Sequence, residues 1–180
     1  CDLAIISPND PAAMIGYARE CRHLGIPYIY DPSQQVARLG GADLKEGVSG
    51  AHIVISNDYE FEIIREKTGM DETAMLDHAD AVVVTRGEKG ATVRTRSQAI
   101  GVAAIPPREI VDPTGVGDAF RGGFMKGLAV GADYETCARL GSVAAAFALE
   151  HLGGSTHSYT WPLFAERYER HFGPLALPGR

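Results

Sequence analysis

The residues best equipped for chemistry lie late in the chain, in Val111-Asp112-Pro113-Thr114-Gly115-Val116-Gly117-Asp118-Ala119-Phe120 and the Arg121-Gly122-Gly123-Phe124 that follows. Two glycines flank Val116 just ahead of a helical pattern, and glycine allows both positive φ and close approach of backbone to a ligand. Successive N–H groups in such a turn form an anion-binding nest, to which a helix N-terminus adds partial positive charge. Asp118 falls in the first turn of that helix, at the mouth of the nest. A carboxylate there can accept the proton of an attacking hydroxyl while the amides hold a phosphoryl group in transfer. From the glycine spacing alone a second reading stays open, in which Gly115-Val116-Gly117 is a tight turn and Asp118 a helix-cap residue. Arg121 either faces the phosphates or faces solvent.

Other phosphate-binding patterns fit less well. The chain holds no G-x-x-x-x-G-K-[ST] loop,. A dinucleotide fingerprint, G-x-G-x-x-G, would follow the first strand, whereas here the motif comes late and position 120 is Phe,. A redox dinucleotide enzyme is therefore disfavoured. The net charge of −6 and the pI near 5.5 argue against a nucleic-acid or anionic-membrane surface, since both require clustered Lys and Arg,. Three well-separated cysteines, Cys1, Cys21 and Cys137, form no C-x-x-C pair, so a disulfide framework or zinc site is not expected and a reducing cytoplasm is the natural setting,. Cys21 and Cys137 read as small core hydrophobes. The histidines form no metal cluster and read as structural, with His52 opening a strand, His78 in a helix and His151 and His157 flanking a late loop. No apolar run reaches the length that spans a bilayer,.

The elements that must position these groups are an alternation of short apolar runs and helical stretches. Strands are predicted at Leu3–Ile6, Pro27–Tyr30, His52–Ser56 and Ala81–Thr85. The turn Ser7-Pro8-Asn9-Asp10-Pro11 supplies an N-cap and a first-turn proline to a helix that runs to about Leu24 and stops at Gly25, and Asn57-Asp58 starts another that runs to about Thr68-Gly69. This spacing describes βαβ units and a parallel sheet, with Ile53-Val54-Ile55 and Val82-Val83-Val84 as strands buried on both faces. Ala91–Thr95 and Gln98–Ile105 predict an antiparallel hairpin. Helices follow at Gly117–Val130, Tyr134–Leu149 and Leu163–Phe172. The 180 residues suit one domain, 1–180, without repeats or linkers,. The opening Cys1-Asp2-Leu3-Ala4-Ile5-Ile6 reads as a strand already under way, so an upstream portion is expected.

Asp112-Pro113-Thr114-Gly115-Val116-Gly117-Asp118-Ala119-Phe120 closely resembles the second signature of the ribokinase (PfkB) kinases, D-T-T-G-A-G-D-x-F, with Pro113 and Val116 as mild departures in a segment that acts through backbone amides. Gly122-Gly123-Phe124 extends the match. In the family's order, Asp31-Pro32 resembles the pair that ends an earlier strand, Asn57-Asp58-Tyr59-Glu60 the N-x-x-E motif, and Thr85-Arg86-Gly87-Glu88-Lys89-Gly90 the T-x-G-x-x-G turn. The resemblance runs from Leu3 to about Trp161.

It implies a ribokinase-like three-layer α/β/α fold with a mainly parallel central sheet, lacking an N-terminal part and its β-lid. It implies an ATP-dependent kinase acting on a hydroxyl of a sugar or nucleoside, with Asp118 as general base and Gly115, Val116 and Gly117 as anion hole. Asn57 and Glu60 would organise Mg²⁺ and phosphate through water, while Thr85, Gly87 and Gly90 would lie along ATP. Several members bind K⁺, and Asp112, Thr114, Ala148 and Gly153 match that site. A homodimer would form through the absent lid. The texture around Tyr30-Asp31-Pro32 is similar to adenosine-kinase-like and sugar-kinase members. The competing reading is a non-catalytic nucleotide- or sugar-binding relative of the same fold, against which the retained Asp118 and glycine nest speak.

Overall fold

The computed structural model describes residues 1–178. In chain order it contains β1 (Ala4–Ile6), α1 (Pro11–Leu24), β2 (Tyr28–Tyr30), α2 (Gly41–Val48), β3 (Ile53–Asn57), α3 (Asp58–Thr68) and α4 (Glu72–Met75). There follow β4 (Ala81–Thr85), β5 (Ala91–Arg94), β6 (Ala99–Val102), α5 (Val116–Ala129), α6 (Tyr134–Leu149) and α7 (Trp161–Phe172). The strands run through one sheet in chain order, β1-β2-β3-β4-β5-β6. The first four pair in parallel, with Ile5 opposite Ile29, Ile29 opposite Ile53 and Ile53 opposite Ala81. Thr95 N–H donates to the Gln98 carbonyl at 2.9 Å, closing the hairpin that joins β5 to β6. The α/β class and the parallel βαβ run expected from the sequence are both present. No helix among the described residues is long and apolar enough to cross a membrane.

Two compact units make up the chain: Cys1–Thr85 with Thr92–Ala99, and Arg86–Ala91 with residue 100 onward. In the first, local signals set the helix ends. Asp10 accepts from the amides of Ala12 and Ala13, Pro11 begins α1, and Gly25 ends it in the left-handed conformation,. α1 buries Met14, Ile15, Ala18 and Cys21 in a core that also takes in Tyr28, Tyr30, Val54, Ile64 and Val82. Each such large apolar side chain contributes about 1.5–3 kcal/mol when fully removed from water. Arg22 ties α1 to α2 by donating to the carbonyls of Glu46 and Ser49 at 3.0 and 2.8 Å. α2, α4 and a 3₁₀ turn at Ser33–Ala37 are additions to the sequence-based reading. His78 sits in the turn after α4, not in a helix, because α4 ends after a single turn at Met75. His52 precedes β3 and places Nδ1 2.9 Å from Asp80 Oδ2.

In the second unit α5 packs on α6 through glycines. A Cβ on Gly123 would lie 2.5 Å from the Leu140 carbonyl oxygen, and one on Gly141 2.8 Å from that of Phe120. The two backbones are in near contact, which only glycine permits. α6 begins at Asp133, whose carboxylate accepts from the Thr136 amide at 2.7 Å. Ile105, Leu140, Val143, Ala144, Phe147, Phe164 and Tyr168 form the core that seats α7. Cys137 is buried here, and burial pushes its thiol up to about 12, so it stays protonated as a core hydrophobe,.

Candidate active site

The glycine turn at the start of α5 is held in place before the helix begins. Asp112 Oδ1 accepts from the Thr114 amide and Oδ2 from the Gly153 amide, both at 2.8 Å. The Thr114 hydroxyl and amide, followed by the Gly153 amide, hold the Asp112 carboxyl below the usual carboxylate range,. The amides of Val111 and Asp112 both donate to the Leu149 carbonyl, at 2.8 and 3.3 Å. Gly115 then takes φ +75° as the N-cap of α5. A Cβ there would lie 2.6 Å from both Cα and O of Gly154, so a glycine is required twice over, by backbone conformation and by contact,.

The start of α5 differs from those of α1, α3, α4 and α6 in what its amides meet, and shares with α2 and α7 the lack of a side-chain cap. Asp10, Asn57, Asp71 and Asp133 each accept first-turn N–H groups of α1, α3, α4 and α6 through their side chains. Gly115 has no side chain to do the same for α5. A helix leaves its first amides without intrahelical acceptors, so those of Val116, Gly117 and Asp118 are directed at whatever lies beyond the turn. Among the described residues Val116 N–H donates to the Pro113 carbonyl, at 3.4 Å. This is an arrangement suited to an external anion.

Asp118 sits at the third position of α5, and its side chain is 82% exposed. Arg121 lies along the same turn: its side chain is only 13% exposed, with Nη1 3.4 Å from Asp118 Oδ1. A Cβ added to Gly117 would meet that Nη1 at 2.7 Å. The sequence left Arg121 between phosphates and solvent; the structure folds it back over Gly117.

Asn57, Glu60 and Thr85 belong to the first unit. Asn57 Oδ1 accepts from the Glu60 amide at 2.8 Å, and Glu60 Oε2 from the Asn57 amide at 2.9 Å, a reciprocal capping box that starts α3,. Glu60 is buried, and its Oε1 accepts from the Ser33 hydroxyl at 3.3 Å. Thr85 Oγ1 points to the Ser56 carbonyl at 3.5 Å. Gly87 and Gly90 bracket a 3₁₀ turn in the second unit, with φ of +56° and +87°. A Cβ on Gly90 would come within 2.0 Å of the Val102 carbonyl oxygen, which gives that glycine a packing role of its own.

The donor sets can be weighed against the groups they would hold. Uncapped amides at a helix start suit phosphate oxygens. The oxygens of Asp112, Thr114, Ala148 and Gly153 are hard donors, appropriate to a hard cation. Asp112 and Gly153 are brought together, whereas the Ala148 carbonyl already accepts from the His151 amide at 3.1 Å. Among the described residues no group of three or more His, Cys, Asp or Glu side chains could hold a metal ion. Sequence reasoning did not single out Ser33, Glu150, Gly154 or Arg167. The Gly153-Gly154 pair carries a visible signal; the others have none, because their roles rest on contacts far apart in sequence.

The chain is similar to the nucleoside kinase of Methanocaldococcus jannaschii, 32% identical over 142 residues, covering 79% of this chain and 47% of the relative. The cytidine kinase of Thermococcus kodakarensis is 36% identical over 141 residues, covering 76% and 51%. Among solved structures, the Burkholderia thailandensis nucleoside kinase in complex with ADP-inosine superposes with a TM-score of 0.96 at 35% identity, over 99% of this chain and 56% of that one. The chain thus spans about half the length of the relatives it matches. The family model for the pfkB family carbohydrate kinases matches residues 3–161, and the chain belongs to that family.

Proposed function

We propose that the protein transfers the γ-phosphoryl group of ATP to a hydroxyl of a small nucleoside or sugar, with nucleosides favoured. The observation that carries this reading is the bare N-terminus of α5, with Asp118 as the carboxylate of its first turn. Phosphoryl transfer asks a protein for alignment and electrostatic stabilisation more than for covalent chemistry. The amides of Gly115, Val116, Gly117 and Asp118 stabilise the charge on the oxygens of the migrating group. Asp118, open to solvent in this chain, takes the acceptor hydroxyl's proton as the oxygen bonds to phosphorus and the bond to the ADP leaving oxygen breaks,. The preference for nucleosides is supported by the names of the relatives and by the inosine-bound neighbours.

Thr85, Gly87 and Gly90 lie along ATP in this reading. Asn57 and Glu60 would hold Mg²⁺ through water, and the ion would supply charge neutralisation at the phosphates. Asp112, with the carbonyls of Thr114, Ala148 and Gly153, would hold K⁺ and so add positive charge near the transferred phosphoryl group. The test is ATP consumption by the complete gene product against a panel of nucleosides and sugars, with Asp118→Asn alongside. Loss of the base is expected to lower kcat by roughly 10²–10⁴-fold while ATP binding persists. Turnover by Asp118→Asn at the wild-type rate would remove Asp118 from the reaction.

A further inference from the structure

The approach to the glycine turn is fastened from behind. Residues 108–112 run beside residues 149–153, joined by Arg108 N–H to Glu150 Oε1 at 2.7 Å, Val111 N–H to the Leu149 carbonyl at 2.8 Å and Gly153 N–H to Asp112 Oδ2 at 2.8 Å. The first and third depend on a side chain, and in the first Glu150 is the C-cap of α6, so its carboxylate must be steered to reach the Arg108 amide. Arg167 of α7 does the steering. Its Nη2 lies 2.8 and 3.0 Å from the two Glu150 oxygens, and the guanidinium stacks 4.0 Å above the Phe147 ring. The two side chains are 9% and 10% exposed.

A buried ion pair is a poor source of net stability, because desolvation offsets much of the attraction and an apolar pair can often replace it. What this pair supplies is direction. Both carboxylate oxygens are fixed by one guanidinium nitrogen, that guanidinium is fixed by an aromatic face, and Oε1 is left aimed at the one amide that begins the approach to Asp112. We infer that Arg167 is a positioning residue for phosphoryl transfer: through Glu150 it fixes residues 108–112, and with them the amides that begin at Gly115. The inference rests on the reading of Gly115–Asp118 as the transfer site.

The experiment compares wild type, Arg167→Met, Arg167→Lys and the double variant Arg167→Met/Glu150→Gln in the complete gene product. Each is assayed for phosphorylation of inosine by ATP and for amide hydrogen exchange. Methionine keeps an apolar stem over Phe147 and removes the cation, and the double variant removes the unpaired charge that the single change would bury. Displacing the turn by about 1 Å is expected to lower kcat about 10²-fold with little change in the inosine KM. Exchange of amides 108–118 should quicken while α3 keeps its protection. Arg167→Lys should recover part of the rate, and the double variant should remain as slow as Arg167→Met.

A double variant that regains the wild-type rate would overturn the inference, since the loss would then come from stranded charge. So would a fall in melting temperature with kcat and 108–118 exchange unchanged. If wild type transfers no phosphoryl group, or Asp118→Asn turns over normally, the site assignment fails instead, and the exchange of 108–118 alone still decides whether Arg167 holds that segment.

Discussion

Asp112 occupies both of its oxygens with backbone amides from segments far apart in sequence, and that explains its ionisation. Its carboxyl is depressed because the Thr114 hydroxyl and amide, then the Gly153 amide, favour the charged form,. The linkage sign follows: stabilisation by this group is present above its unfolded value near 3.9 and is lost as pH falls through its lower folded value. The clasp between residues 112 and 153 should therefore survive mild acid and loosen only below about pH 4, read as quickening exchange of the Gly153 amide. Protection lost already at pH 6 would contradict this account. Asn57 poses a different residue-scale question, because its capping box is complete without any ligand. Asn57→Ala should cost about 1 kcal/mol in denaturant unfolding, and Asn57→Ser should keep that stability because serine caps equally well. A raised KM for Mg²⁺·ATP in Asn57→Ser would then report a role in the site that capping cannot supply.

Two adjacent glycines of α5 separate intrinsic helix preference from packing. Gly122 has open space where a Cβ would go, whereas the Cβ of a residue at 123 would meet backbone atoms of Leu140 and Gly141, which cannot step aside as a side chain can. Gly122→Ala should raise stability by up to about 1 kcal/mol, since alanine is the better helix former. Gly123→Ala should lower it by about 1–3 kcal/mol net, because overpacking outweighs that gain. Chemical denaturation of the two variants checks the opposite signs. What was legible in the sequence follows the same physics. α1 and α3 announced themselves through the turn ending at Asp10-Pro11 and through Asn57-Asp58, α6 through its long helical stretch alone, and β3 and β4 through continuous apolar runs that suit burial on both faces. α2 escaped because Gly40-Gly41-Ala42-Asp43-Leu44-Lys45-Glu46-Gly47 reads as a loop; Gly47 is there because the Tyr30 ring lies 2.1 Å from where a Cβ would be. The Asp112–Gly153 contact joins residues 41 apart, and the Glu150–Arg167 pair joins two helices, so neither leaves a local pattern to read. The resemblance pointed to Asp112 and Gly153, and only the structure pointed to Arg167.

At the scale of the whole molecule, three readings differ in what they bind and what they turn over. A kinase binds adenine nucleotide and transfers phosphoryl; a non-catalytic relative binds without transfer; a dinucleotide oxidoreductase answers to NAD. The fold alone does not choose among uses, since one fold serves many chemistries. The acidic balance of the chain, −6 overall, makes a non-specific polyanion response weak, so a stabilising nucleotide has to act through a local site such as the amides opening α5,. A ligand that binds only the folded state at about 100 times its Kd stabilises by about 2.7 kcal/mol, enough to raise the melting temperature by several degrees. The complete gene product should show that rise with Mg²⁺·ADP and none with NAD. Asp118→Asn should keep the ADP shift while losing turnover, because in the proposed mechanism the carboxylate acts on the acceptor and the amides on the phosphates. A Gly115→Ala variant should lose most of the shift even where it folds, since its Cβ would drive the turn away from Gly154 and re-aim those amides. An ADP response that survives Gly115→Ala intact would move the nucleotide to another place on the molecule and leave the start of α5 without its assigned ligand.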